Sequence, residues 1–190
     1  ISPVDSKFEA TFAAPLDTAA GARDVVDMSL VDGYTLPFKL ETSGGSCQRG
    51  VTPFESLDCS ELSLSQCPTS ETLGSSTRDL RAVNPKTGEL AGCYSPCKKL
   101  TDDKWNETMP EDADSKDAGP YCCAGSYGTP DKCSAGPVMQ TNYLPSVKAT
   151  CPYAYAYPYD DHIATIACTT STEYVVTFYC PSQGTDQLAV

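Results

Sequence analysis

Eleven cysteines in 190 residues constrain this chain more than any other feature. Cysteine use at this density is far above what a reducing cytosol favours, and the spacings do not repeat as the short pairs of a zinc module. The residues therefore predict a domain stapled by disulfides in an oxidising compartment. The count is odd, so pairing within the chain leaves one sulfur over. A free thiol is a reactive liability in such a compartment, which favours a covalent partner outside these residues. Cys122 and Cys123 are adjacent and do not bond to each other without strain, so they point to different partners.

The length suits one domain. Short runs of β-branched and aromatic residues between turn signals predict a mostly β architecture, with strands at Phe8 to Phe12, Val25 to Val31, Tyr34 to Leu40, Ile163 to Cys168 and Tyr174 to Tyr179. Pro37 removes a ladder donor, so the strand that holds it is expected at a sheet edge or to begin there. Glu55 to Gln66 and Asn142 to Thr150 are candidate short helices, the second starting near Pro145. From Lys98 to Gly119 the chain becomes charged and loses its apolar period, which reads as an exposed loop or insertion. Its carboxylates lack the alternating ligands and central glycine of a calcium loop. Trp105 within it is expected to cover a local apolar patch.

A formal net charge of −12 and a pI near 4.3 oppose binding to phosphate backbones, so nucleic acid is excluded as a partner. No apolar run approaches the roughly 20 residues of a membrane span. No leader precedes Ile1, and the chain is expected to start upstream of it. Asn106-Glu107-Thr108 is the single glycosylation sequon. His162 is the only histidine, so neither a Ser-His or Cys-His catalytic pair nor a histidine metal site is supported, and no cofactor is expected.

Three segments stand out together: Val26-Asp27-Met28-Ser29-Leu30-Val31-Asp32-Gly33-Tyr34-Thr35-Leu36-Pro37, Tyr121-Cys122-Cys123-Ala124-Gly125-Ser126-Tyr127-Gly128-Thr129-Pro130, and Cys151-Pro152-Tyr153-Ala154-Tyr155-Ala156-Tyr157-Pro158-Tyr159-Asp160-Asp161. Their order and wording resemble the thaumatin-like family, also called pathogenesis-related family 5. Tyr174 to Pro181 resembles its closing strand, with Tyr179 as an extra residue before the last cysteine. The likeness runs from about Glu9 to Pro181. It implies a β-sandwich core with a disulfide-rich lobe of loops and short helices, divided here as residues 1–46 and 162–181 for the core and 47–161 for the lobe, with the insertion at 98–119. It also implies five pairs: Cys47 with Cys168, Cys59 with Cys151, Cys67 with Cys93, Cys97 with Cys122 and Cys123 with Cys133. Cys180 is left for a cysteine in N-terminal strands that this chain does not contain, or in another chain.

In the family a cleft beside the β core carries carboxylates and an arginine and is the usual candidate site for β-glucans. By motif, the resemblance sets Glu9, Asp27, Asp32 and Asp160 in that cleft, with Asp161 as the alternative to Asp160. Extra residues around Ala14 to Arg23 leave the register between Glu9 and Asp27 open. The family's arginine belongs to the absent strands, and no arginine here takes its role. The implied function is a secreted, extracellular or wall-associated protein that binds β-glucan or a related cell-wall polysaccharide. A weak endo-β-1,3-glucanase using Glu9 with Asp27 or Asp32 is the catalytic alternative, since clustered carboxyls raise one another's pKa. A structural subunit of an extracellular assembly is the third. Asp27 and Asp32 also suit a plainer role as caps of turns, as Asp often is beside glycine. Tyr153, Tyr155, Tyr157 and Tyr159 fall on one face if their segment is extended, where packing competes with sugar stacking as their role.

Overall fold

The computed structural model describes residues 2–13, 21–102, 105 and 110–180. With strands and helices numbered in chain order, a five-stranded sheet has the order β1 (Lys7–Thr11), β2 (Arg23–Ser29), β12 (Ile166–Thr169), β5 (Cys47–Arg49) and β6 (Thr52–Phe54). A three-stranded sheet has β4 (Phe38–Ser43) between β13 (Glu173–Phe178) and β7 (Ser56–Cys59). A second three-stranded sheet joins β10 (Arg81–Val83), β11 (Leu90–Tyr94) and β3 (Gly33–Tyr34), and β8 (Glu71–Leu73) pairs with β9 (Ser76–Arg78). The chain is thus mostly β.

Alternation sets the core. On β2, Val26 and Met28 are buried while Val25 is exposed. On β4, Phe38 and Leu40 are buried and Glu41 is exposed. The large and the β4-centred sheets meet where Phe8 packs on Tyr174, with ring centroids 6.3 Å apart, and the Tyr174 hydroxyl donates to the buried Asp24.

Several expectations are corrected. Tyr34 to Leu40 is two strands in different sheets, because Pro37 interrupts the ladder and β4 begins only at Phe38. β4 is central in its sheet, and of the two outcomes expected from Pro37 it shows the second, beginning directly after the proline. Glu55 to Gln66 is not a helix. Its Leu57 and Cys59 point inward and Ser56 and Asp58 outward, the period of a strand, and only a 3₁₀ turn at Leu64–Gln66 follows, closed by a Ser63/Gln66 capping box. The candidate strand at Ile163 opens instead within α5 (Asp161–Ala164). β5 pairs with β12, β6 with β5 and β7 with β4, so the two larger sheets take in strands up to Cys59.

The charged stretch begins as a helix, α1 (Pro96–Thr101), capped by the Ser95 side chain with proline in its first turn. Trp105 packs against the core, and Asn106 lies outside the described residues. Short helices α2 (Gly119–Cys122) and α3 (Pro130–Ser134) lead to α4 (Tyr143–Thr150), close to the span expected from Asn142.

Disulfides join Cys47 to Cys168, Cys59 to Cys151, Cys67 to Cys93, Cys97 to Cys122 and Cys123 to Cys133. Closing such loops restricts the unfolded chain, by about 2–4 kcal/mol each. Cys180 is exposed and unbonded among the described residues. No helix of the described residues is long and apolar enough to cross a membrane.

Glu71 ties β8 to α4. Its carboxylate is buried and accepts from the backbone N–H of Asn142 and Tyr143 and from the Asn142 side chain, at 3.0, 2.9 and 3.2 Å. It therefore satisfies helix-end donors that no Asn142 side-chain cap satisfies. Glu71→Ala, which strands these donors, is expected to lower the unfolding free energy by about 2–4 kcal/mol in a denaturant titration. A loss below about 0.5 kcal/mol contradicts this role.

Candidate functional site

The antiparallel register of β1 and β2 pairs Lys7 with Ser29, Phe8 with Met28, Glu9 with Asp27 and Ala10 with Val26. Directly opposed residues share a face, so Met28 and Val26 go into the core while Lys7, Glu9, Asp27 and Ser29 gather on the other side. Like charges directly opposed cost about 0.2–1 kcal/mol. Burial of side chains such as Val26 and Met28 contributes about 1.5–3 kcal/mol each, so the apolar face wins and holds Glu9 against Asp27.

A cleft of about 230 Å³ opens over this face, and Val31 and Asp32 continue its floor beyond β2. The turn that carries Asp32 depends on Gly33, whose N–H donates to the Leu30 carbonyl at 3.1 Å. Gly33 has φ +113°, and a Cβ there would sit 2.2 Å from the Cys93 carbonyl oxygen, so only glycine fits. Asp32 forms an ion pair with Lys7.

Tyr155 and Pro158 make the opposite wall. Tyr155 docks on β2 by backbone bonds on both sides of Ser29, its N–H to the Met28 carbonyl at 2.9 Å and its carbonyl from the Leu30 N–H at 2.8 Å. Its hydroxyl donates to Asp161 at 3.0 Å and lies 2.5 Å from the Thr165 hydroxyl.

Asp27 is the electrostatic centre of the cleft. Burial, then the charges of Glu9 and Asp161, push its carboxyl up from 3.8 to about 7. Its Oδ1 is shielded from solvent and has no hydrogen-bond partner among the described residues. Burial also pushes the Tyr155 phenol up to about 12, so it stays a donor to Asp161. Neither Asp27 nor Asp32 accepts a backbone N–H among the described residues, so neither acts as the turn cap that the Asp-Gly pair suggests.

Of the sequence candidates, Glu9, Asp27 and Asp32 come together in the cleft and Asp160 does not. Asp160 is buried, accepts the Ala156 N–H at 3.0 Å and pairs with Lys148, which also donates to the Ala154 carbonyl at 2.7 Å. It secures the loop that presents Tyr155, and the neighbouring Asp161 is the residue whose charge reaches Asp27. The four tyrosines do not share one face. Tyr153 carries the Arg49 guanidinium 3.2 Å from its ring centre, Tyr155 lines the cleft, Tyr157 is buried and Tyr159 donates to the Gly128 carbonyl.

Sequence reasoning missed Lys7, Ser29, Val31 and Pro158 as cleft residues. Lys7 and Ser29 were accessible through period 2, since they lie two residues from Glu9 and Asp27 on the same strands. Among the described residues, no group of three or more His, Cys, Asp and Glu side chains is placed to hold a metal ion.

Between about pH 4 and 7 folded Asp27 keeps a proton that the unfolded chain releases, so stability falls as pH rises through that window and the loss is complete above it. Asp27→Asn removes this penalty. Its melting temperature is expected to match wild type near pH 4 and to exceed it at pH 8, as followed by circular dichroism. An equal difference at the two pH values contradicts the shifted carboxyl.

Comparison with known proteins agrees with the fold. The model of the thaumatin family matches residues 5–181. Thaumatin-like protein 1 of Pyrus pyrifolia is 34% identical over 180 residues, covering 95% of this chain and 57% of the relative. Thaumatin-like protein 1 of Arabidopsis thaliana is 33% identical over 168 residues, covering 88% and 48%. A Prunus avium protein named glucan endo-1,3-beta-glucosidase is 30% identical over 170 residues, covering 86% and 51%. The chain thus spans about half the length of these relatives. With a family match over nearly all its residues, this chain belongs to the thaumatin family.

Proposed function

We propose that the chain binds a neutral β-glucan or related cell-wall polysaccharide in the cleft between β1, β2 and Tyr155. The observation that carries this reading is Glu9 held directly opposite Asp27, with one Asp27 oxygen left without a partner among the described residues. Below about pH 7 the Asp27 carboxyl holds a proton that it can donate, and the carboxyl oxygens of the pair can accept. Sugar hydroxyls do both, and they match that pattern. Tyr155 and Pro158 supply apolar surface for the faces of the rings. The disulfides suit an extracellular or wall location, and a defence or wall-associated role accords with such a ligand. Cys180, exposed at the end of the closing strand, is the place for a covalent partner, either an N-terminal segment or another chain.

A second reading, weak endo-β-1,3-glucanase activity, is favoured by the raised Asp27 carboxyl, since a glycosidase needs a carboxyl group that stays protonated to act as its acid. Binding is preferred because Glu9 and Asp27 sit side by side on one wall, whereas a catalytic pair flanks the scissile bond.

Calorimetric titration with laminarin oligosaccharides tests both. Wild type is expected to bind without releasing reducing ends, and Glu9→Ala and Tyr155→Ala are each expected to weaken binding about tenfold or more. Absence of binding by wild type overturns the reading. Reducing ends that appear with wild type and vanish in Glu9→Gln and Asp27→Asn replace it with the glucanase.

A further inference from the structure

Lys7 is a cation in a cleft whose other titratable side chains, Tyr155 apart, are the carboxyls Glu9, Asp27 and Asp32, and it is taken up by Asp32. The two side chains are equally and partly exposed, each at 39%. The turn around Asp32 does not need this carboxylate, because the Gly33 N–H to Leu30 carbonyl bond and the glycine itself define it. The hydrogen bond to Asp32 is also the largest influence on the Lys7 ammonium, raising its pKa and keeping it charged.

From this geometry we propose that Asp32 determines ligand specificity, by neutralising Lys7 so that the cleft admits uncharged glycans and excludes acidic ones such as uronate chains. This rests on the glycan-binding reading above. An uncompensated ammonium beside Ser29 would pair with a sugar carboxylate. With Asp32 in place, an approaching carboxylate meets a compensated lysine together with the charges of Glu9 and Asp161, and like charges at close range repel. Asp32 thus serves the cleft through Lys7.

The test compares a laminarin hexasaccharide with its carboxymethylated form, titrated against wild type, Lys7→Gln, Asp32→Asn and the double variant at low salt and at 0.5 M salt. The readout is the ratio of acidic to neutral affinity, and folding of each variant is checked by circular dichroism. Wild type is expected to favour the neutral ligand by at least about tenfold. Asp32→Asn is expected to raise the ratio about tenfold, with the gain lost at high salt and absent from both Lys7→Gln and the double variant. An unchanged ratio in Asp32→Asn overturns the proposal, as does an equal gain in the double variant, which assigns the effect to net charge alone. If wild type binds no neutral ligand while Asp32→Asn captures the acidic one, the neutral-glycan reading falls and the selectivity role stands. If no variant binds either ligand, both fall.

Discussion

The pairing of β1 with β2 is the constraint on which the rest of this structure depends. One register sends Val26 and Met28 into the core and sets Glu9 against Asp27 on the opposite face. A slip of one residue would exchange the faces, exposing the apolar set and burying four polar side chains. The core therefore fixes the chemistry of the cleft, and the electrostatic strain of the carboxyl pair is a small cost beside the burial that enforces it.

The wall opposite is secured separately. Cys151 is bonded to Cys59 on β7, α4 brings Lys148 beneath the loop, and Lys148 with buried Asp160 pins the segment from which Tyr155 reaches β2. Each constraint lies outside the cleft and acts on the geometry within it. Asp160 illustrates the difference between a residue that shapes a site and one that faces it. Its side chain is spent on Ala156 and Lys148, whereas Asp161, one residue on, bonds to the Tyr155 hydroxyl.

Period 2 and the turn residues made β2, β13 and the break at Pro37 legible in the sequence, and the motif resemblance placed Glu9, Asp27 and Asp32. What remained illegible depends on tertiary context. The strands from Glu71 to Tyr94 are three to five residues long, too short for a clear alternation, and they hold together through pairing and the Cys67–Cys93 bridge. The alternating tyrosines suggested a strand, but the Tyr155 segment makes only a single bridge to Ser29 and then turns. The choice between Asp160 and Asp161 depended on where Lys148 lies, a contact twelve residues away that no local motif encodes.

The central claim is that the β1–β2 register makes Asp27 an unusual carboxyl. Following the carbon-13 shift of the Asp27 carboxyl by NMR against pH, in wild type and Glu9→Gln, tests it most directly. The account predicts a midpoint near 7 in wild type that falls in the variant as one of its neighbouring charges is removed. A midpoint near 4 in both proteins would contradict it.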